Sequence, residues 1–132
     1  MENSGDWIFE IIPVSDVGIG HALSQRQNLP SKEDFVLKTQ QQIHKDFAKF
    51  NLDFPENFIF EPFLKEQIEL AIQDNLAIII KSGETKLMQL LYTIDIPEEK
   101  FLQITQDPNF MQVLSEMILK REAMKVYFRS KY

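Results

Sequence analysis

The chain has 132 residues, 44% of them hydrophobic and 26% charged, with a net charge of −6 and no cysteine. That is the size and composition of one domain able to bury its own core. It excludes wholesale disorder, a disulfide framework, thiolate zinc or iron–sulfur sites and a cysteine nucleophile.

From the N-terminus, "MENSGDWIFEII" lacks a basic region followed by a long apolar stretch, so no secretory signal is expected. The longest unbroken apolar run, Leu76 to Ile80, is far shorter than the roughly 20 residues that span a bilayer. A cytoplasmic protein without a membrane segment is the expectation. The run at 7–12, "WIFEII", stops at Pro13 and reads as an extended arm, with a short strand at 7–12 as the alternative. Residues 13–30 contain Gly18 and Gly20 without a clean period and read as loop, with a helical turn near 21–27. The expected organisation is a single domain over 1–132, with an irregular arm (1–30) and a helical body (31–132).

Five helices follow. In "SKED", Ser31 stands at an N-cap position with an acid three residues on. Val36, Gln40, Ile43, Phe47 and Phe50 then share a face, which predicts a helix over about 32–50. "NLDFPENFIFEP" ends it with Asn51, Pro55 and Pro62, and Phe54, Phe58 and Phe60 are expected to tuck under the helices. Leu64, Ile68, Ala71, Ile72, Leu76, Ile79 and Ile80 form one stripe at helical spacing, with Ile78 off it, which predicts a helix over 63–81 despite the β-branched "III". Leu87, Leu90, Leu91 and Ile94 continue the period over 85–94, and Gly83 fits a left-handed residue between the two. In "DIPEEK", Asp95 is the expected cap of a short helix over 97–106. In "DPNF", Asp107 and Pro108 open a final helix over 108–129. The fold class is therefore mainly α, a compact array of about four helices and one short one. The alternative is α+β, with parts of "WIFEII" and "NFIFEP" pairing as strands.

Charge is unevenly spread. Residues 1–119 carry nine Lys/Arg against nineteen Asp/Glu, whereas 120–132 carry five against one. Arg121, Lys125 and Arg129 are four apart and line one helical face, interleaved with Tyr127, Phe128 and Tyr132. Such a face can dock an acidic partner or phosphates. It can also simply complement the helix dipole while the aromatics pack inward. The acidic body weighs against nucleic acid. Phe58 and Phe60 belong to an aromatic segment that, if exposed, would mark a partner or dimer surface.

Catalytic signals are weak. Glu33–Asp34 and Glu98–Glu99 sit in predicted first turns, where the dipole alone favours acids. His44 and Asp46 are two apart and point different ways, and Ser15 and Asp16 near His21 have no mechanical spacing. "VGIGHA" lacks the third glycine of a dinucleotide fingerprint, and no phosphate-loop or nucleophile-elbow motif is present. Tyr92 is expected in a packed corner, its hydroxyl offered to a backbone group. No catalytic, cofactor or metal residues are assigned. The function expected first is a small non-enzymatic protein-binding or regulatory module acting through a helical face, with self-association as a variant. A small enzyme using carboxylate or histidine chemistry, and a nucleic-acid-associated protein using the basic last helix, are the alternatives. The candidate partner surface is Arg121, Lys125, Arg129, Tyr127, Phe128, Phe58 and Phe60.

Overall fold

The computed structural model describes residues 6–11 and 31–131, and among these residues there are six α-helices and no strands. They are α1 (Trp7–Glu10), α2 (Lys32–Ala48), α3 (Lys65–Lys81), α4 (Glu84–Ile94), α5 (Glu98–Ile104) and α6 (Phe110–Lys131), with a 3-10 turn at Glu56–Ile59. The protein is mainly α. The readings placed on 12–30, including the turn near 21–27 and His21, lie outside the described residues.

Both the extended arm and its strand alternative are overturned for the described part of 7–12. Trp7–Glu10 is one helical turn, with Ile11 N donating to Trp7 O at 3.3 Å. A lone six-residue strand would leave its backbone groups unpaired, whereas a helical turn pairs them locally. Its side chains anchor it on the start of α2. Ile8 is buried, the Phe9 ring meets Phe35 edge to face at 5.6 Å, and Lys32 Nζ lies 2.6 Å from Asp6 Oδ1. "NFIFEP" is likewise no strand, because Pro55 opens the 3-10 turn and its carbonyl accepts from Phe58 N at 2.9 Å.

Each helix begins and ends for an identifiable reason. Ser31 caps α2 as expected, its hydroxyl accepting from Asp34 N at 3.2 Å. The end of α2 is closed by Asn51 at φ 61°, with Leu52 N reaching back to Phe47 O. The end of α4 repeats this arrangement. Asp95 takes φ 79°, and Ile96 N donates to Leu91 O at 2.8 Å. Asp95 was expected to cap the following helix. It closes the preceding one instead, and Pro97 takes the position before α5. The physical reason is that an aspartate tolerates the left-handed region nearly as well as asparagine does. Asp107 does open the approach to α6, its carboxylate accepting from Asn109 N at 2.7 Å, but regular helix begins only at Phe110.

One hydrophobic core runs through the molecule. α2 contributes Phe35, Val36, Ile43 and Phe47, α3 its stripe from Ile68 to Ile79, and α4 Leu87, Leu90, Leu91 and Ile94. α6 packs on both α2 and α3. Phe47, Phe54, Phe58 and Phe63 form a chain of ring contacts at 5.3, 4.4 and 5.2 Å. Phe54 and Phe58 are thus tucked in as expected, but Phe60 is 72% exposed. Leu64 and Ile80, at the two ends of the predicted α3 stripe, are exposed as well. Tyr92, expected in a packed corner, is 86% exposed. It follows buried Leu91 on α4, so its side chain is carried round to the opposite face.

Two buried amides hold the connection between α2 and α3. Gln40 Nε2 donates to Phe58 O at 2.6 Å and Glu61 O at 3.0 Å, and its Oε1 accepts from Phe63 N at 2.7 Å. Asn75 brackets Asp53 from α3, accepting from its N–H and donating to its carbonyl. Gln40→Ala would strand three backbone groups in or beside the core, so we expect a loss of about 2–3 kcal/mol in chemical denaturation. Gly83, between α3 and α4, has φ 119° and ψ 158°, and a Cβ there would meet nothing within 4 Å. Gly83→Ala should nevertheless lower stability by about 1–3 kcal/mol, because the backbone, not the space, excludes a side chain. A thermal melt indistinguishable from wild type would contradict this.

Candidate functional site

The basic stripe of α6 is where the sequence placed most of its functional weight. The structure divides it among five partners. Arg121 Nη2 donates to Asp95 Oδ2 at the corner that ends α4. Lys125 Nζ reaches Asp46 Oδ2 on α2 at 2.8 Å, Thr93 O near the end of α4 at 3.1 Å and Glu122 Oε1 at 3.2 Å. Arg129 Nη2 donates to Gln42 Oε1 on α2 at 2.9 Å. The spacing of four keeps the three cations in a row, and this row faces the seam where α2 and the end of α4 meet α6. Thr93 O is among the last carbonyls of α4, so Lys125 also complements that helix's negative end.

The remaining candidates scatter. Phe58 has no exposed surface and Tyr127 is buried, stacked on Phe35 at 6.5 Å, so both belong to the core rather than to a docking face. Phe128 is partly open, and Phe60 lies out on the connection after the 3-10 turn. The seven residues do not form one surface. His44 is half-buried, its ring 6.4 Å from Phe54. Among the described residues no group of three or more His, Asp or Glu is arranged to hold a metal ion.

Beneath the stripe lies a buried ionic cluster that was not anticipated. Asp46 and Glu122 are both buried and face each other, and the Glu122 oxygens, though close to Lys125 and Asp46, are not held in well-aligned hydrogen bonds as those of Asp46 are. Burial, reinforced by the Asp46 charge, pushes the Glu122 carboxyl up to about 9. Burial also works to raise Asp46, but hydrogen bonds from Lys125, Glu122 and Gln42, with the Lys125 charge, outweigh it and hold that carboxyl below its usual range. At neutral pH the cluster therefore pairs one carboxylate with one neutral acid around Lys125, and Lys49, more than half exposed, stands at its rim 4.0 Å from Asp46 Oδ1. Keeping Glu122 neutral avoids two ionised carboxylates side by side in the interior. None of the three surface grooves described below is lined by Asp46 or Glu122.

A trace of this cluster was present in the sequence. Asp46 adjoins Phe47 on the buried face of α2. Glu122 falls four residues after Ile118, on a row that would otherwise be apolar. An acid on an apolar row is the sign of a buried carboxyl, but its partner comes from a helix about 80 residues away and cannot be read locally.

The surface beside α6 is grooved on both sides. On one side, the α4–α5 corner and α6 enclose an open groove of about 560 Å3. Ile96, Ile104, Met117 and Met124 contribute its apolar lining, and Lys100, Lys120 and Arg121 stand at its edge. On the other side, α2 and the last turns of α6 form a more polar groove of about 480 Å3 that includes Lys38, Lys45 and Arg129. A third groove, of about 650 Å3, runs along α4 between Phe50 and Tyr92. No helix among the described residues is long and apolar enough to cross a membrane. No family model matches the chain, and neither a curated protein nor a solved structure is significantly similar to it.

The raised Glu122 carboxyl has a direct consequence for stability. Between about pH 4.5 and 9 the folded chain holds a proton that the unfolded chain has released. Stability should therefore fall as pH rises through this window, by up to about 1.4 kcal/mol per pH unit. Glu122→Gln keeps the shape and removes the proton, so its denaturation midpoint should be flatter over the same range and higher than wild type at pH 9. Parallel pH profiles for the two proteins would refute the assignment.

Proposed function

We propose that this protein is a non-enzymatic binding module that receives an acidic amphipathic helix of a partner protein in the groove between the α4–α5 corner and α6. The supporting observation is the make-up of that groove, with its apolar lining of two isoleucines and two methionines edged by three cations. Methionine side chains adapt to the shape of an incoming apolar face. A helix laid in a groove is read through apolar residues at i, i+3, i+4 and i+7, and acids on its flanks would meet Lys100, Lys120 and Arg121. One of these cations, Arg121, is already paired with Asp95, so the lining carries a surplus of positive charge on a protein whose net charge is −6. Complementary charge would speed encounter and select acidic partners over basic ones. The absence of cysteine from the chain is compatible with a cytoplasmic setting for this role.

A designed peptide of leucine and glutamate with that spacing is a suitable probe, read by fluorescence anisotropy. We expect saturable binding that weakens with salt. Met124→Glu or Lys120→Glu should each reduce affinity by roughly tenfold. Equal binding of a lysine-for-glutamate version of the peptide, or unchanged affinity in both variants, would refute the proposal.

A further inference from the structure

On the opposite flank of α6, we propose a second and independent site, a groove for a small free oxyanion of the phosphate type bearing several negative charges. Lys38, Gln42 and Lys45 recur at helical spacing on α2 with Gln41 beside them, and Arg129 and Ser130 come from the last turns of α6, so six polar side chains from two helices line one groove. Its volume of about 480 Å3 lies in the range of small-ligand sites.

The charge is arranged to remain available. Lys45 makes no ion pair among the described residues. Lys38 reaches only Asp34, at 3.6 Å and with both side chains about half exposed, a contact weak enough to be redirected. Arg129 is held by Gln42 Oε1, a neutral acceptor that orients the guanidinium without cancelling its charge. Gln42 is itself fixed, because its Nε2 donates to Asp46 Oδ1 at 3.2 Å. The planar guanidinium fork suits two oxygens of a phosphate, and the two lysines can serve as point charges beside it. Three cations gathered in one groove, with Asp34 beside Lys38 and Asp46 behind Gln42, are unusual on a body that carries ten more acids than bases before residue 120.

The test is calorimetric titration of the full chain with inorganic triphosphate at low ionic strength, with circular dichroism to confirm that each variant folds. Wild type should bind with one-site stoichiometry. Lys45→Ala and Arg129→Ala should each weaken binding about tenfold, the loss of one charge-assisted contact. Lys81→Ala, which removes an exposed cation at the end of α3, should leave binding unchanged. Equal weakening in all three variants would mean general charge attraction and overturn the site, as would the absence of any heat. Failure of triphosphate to bind, combined with sedimentation on phosphatidylcholine vesicles carrying a phosphoinositide, would overturn the free-anion assignment and point to a lipid headgroup instead.

Discussion

The contact between Lys125 and Asp46 is the constraint around which the helices are arranged. The ammonium of Lys125 lies where α2, the end of α4 and α6 converge, and it touches a side chain or carbonyl from each. A buried ion pair carries a desolvation cost, so it adds little net stability compared with apolar packing. What it does supply is register. Arg121, Lys125 and Arg129 repeat every four residues, and each has its own partner, Asp95, Asp46 and Gln42. A slip of α6 by one turn would bring an arginine to Asp46 and leave Lys125 against a neutral amide or the corner. Apolar rows alone would tolerate such a slip far better.

The same contact explains why Glu122 is a neutral acid. Lys125 brings one positive charge into the seam, and Asp46, with the better hydrogen bonds, takes the corresponding negative charge. Glu122 shares the site without well-aligned hydrogen bonds like those of Asp46 and is cheapest in its protonated form. The arrangement is closed to the surface grooves, so these carboxyls act on stability and its pH dependence.

Because α6 is seated by its basic row, its two flanks are left to form grooves of different character. The corner made by Asp95, Ile96 and Pro97 stands off from α6 and leaves a methionine-lined channel. On the other side, the α2 face from Lys38 to Lys45 runs beside the last turns of α6, and the channel there is polar. The basic tail thus contributes to both grooves and to the core between them: Lys120 and Arg121 edge the first, Lys125 is enclosed, and Arg129 belongs to the second. A charged row read as one surface is in fact three environments.

Much of the fold was legible in the sequence. The helices of 31–131 followed from apolar spacing and from the signals at Ser31, Asn51, Gly83 and Asp107, because helix formation is governed by hydrogen bonds and side chains within one or two turns. α6 was the hardest to orient. Its buried positions form two adjacent rows, 114–118–122–126 and 115–119–123–127, and Ser115 and Glu122 interrupt them. Local signals also misassigned Asp95, Tyr92 and the run at Trp7: Asp95 ends one helix instead of opening the next, Tyr92 lies on the outer side of α4, and Trp7–Glu10 is seated as a helical turn by its packing on α2. The partners of the basic row lay beyond reach, since Lys125 meets Asp46 across 79 positions of chain. By itself, then, the sequence determined which segments are helical and which of their faces are apolar, since both depend on neighbours a few residues apart. Tertiary structure alone decided which charges are buried, which are paired and where the grooves open, since electrostatic energy depends on distances in space and on the loss of water, neither of which is encoded locally.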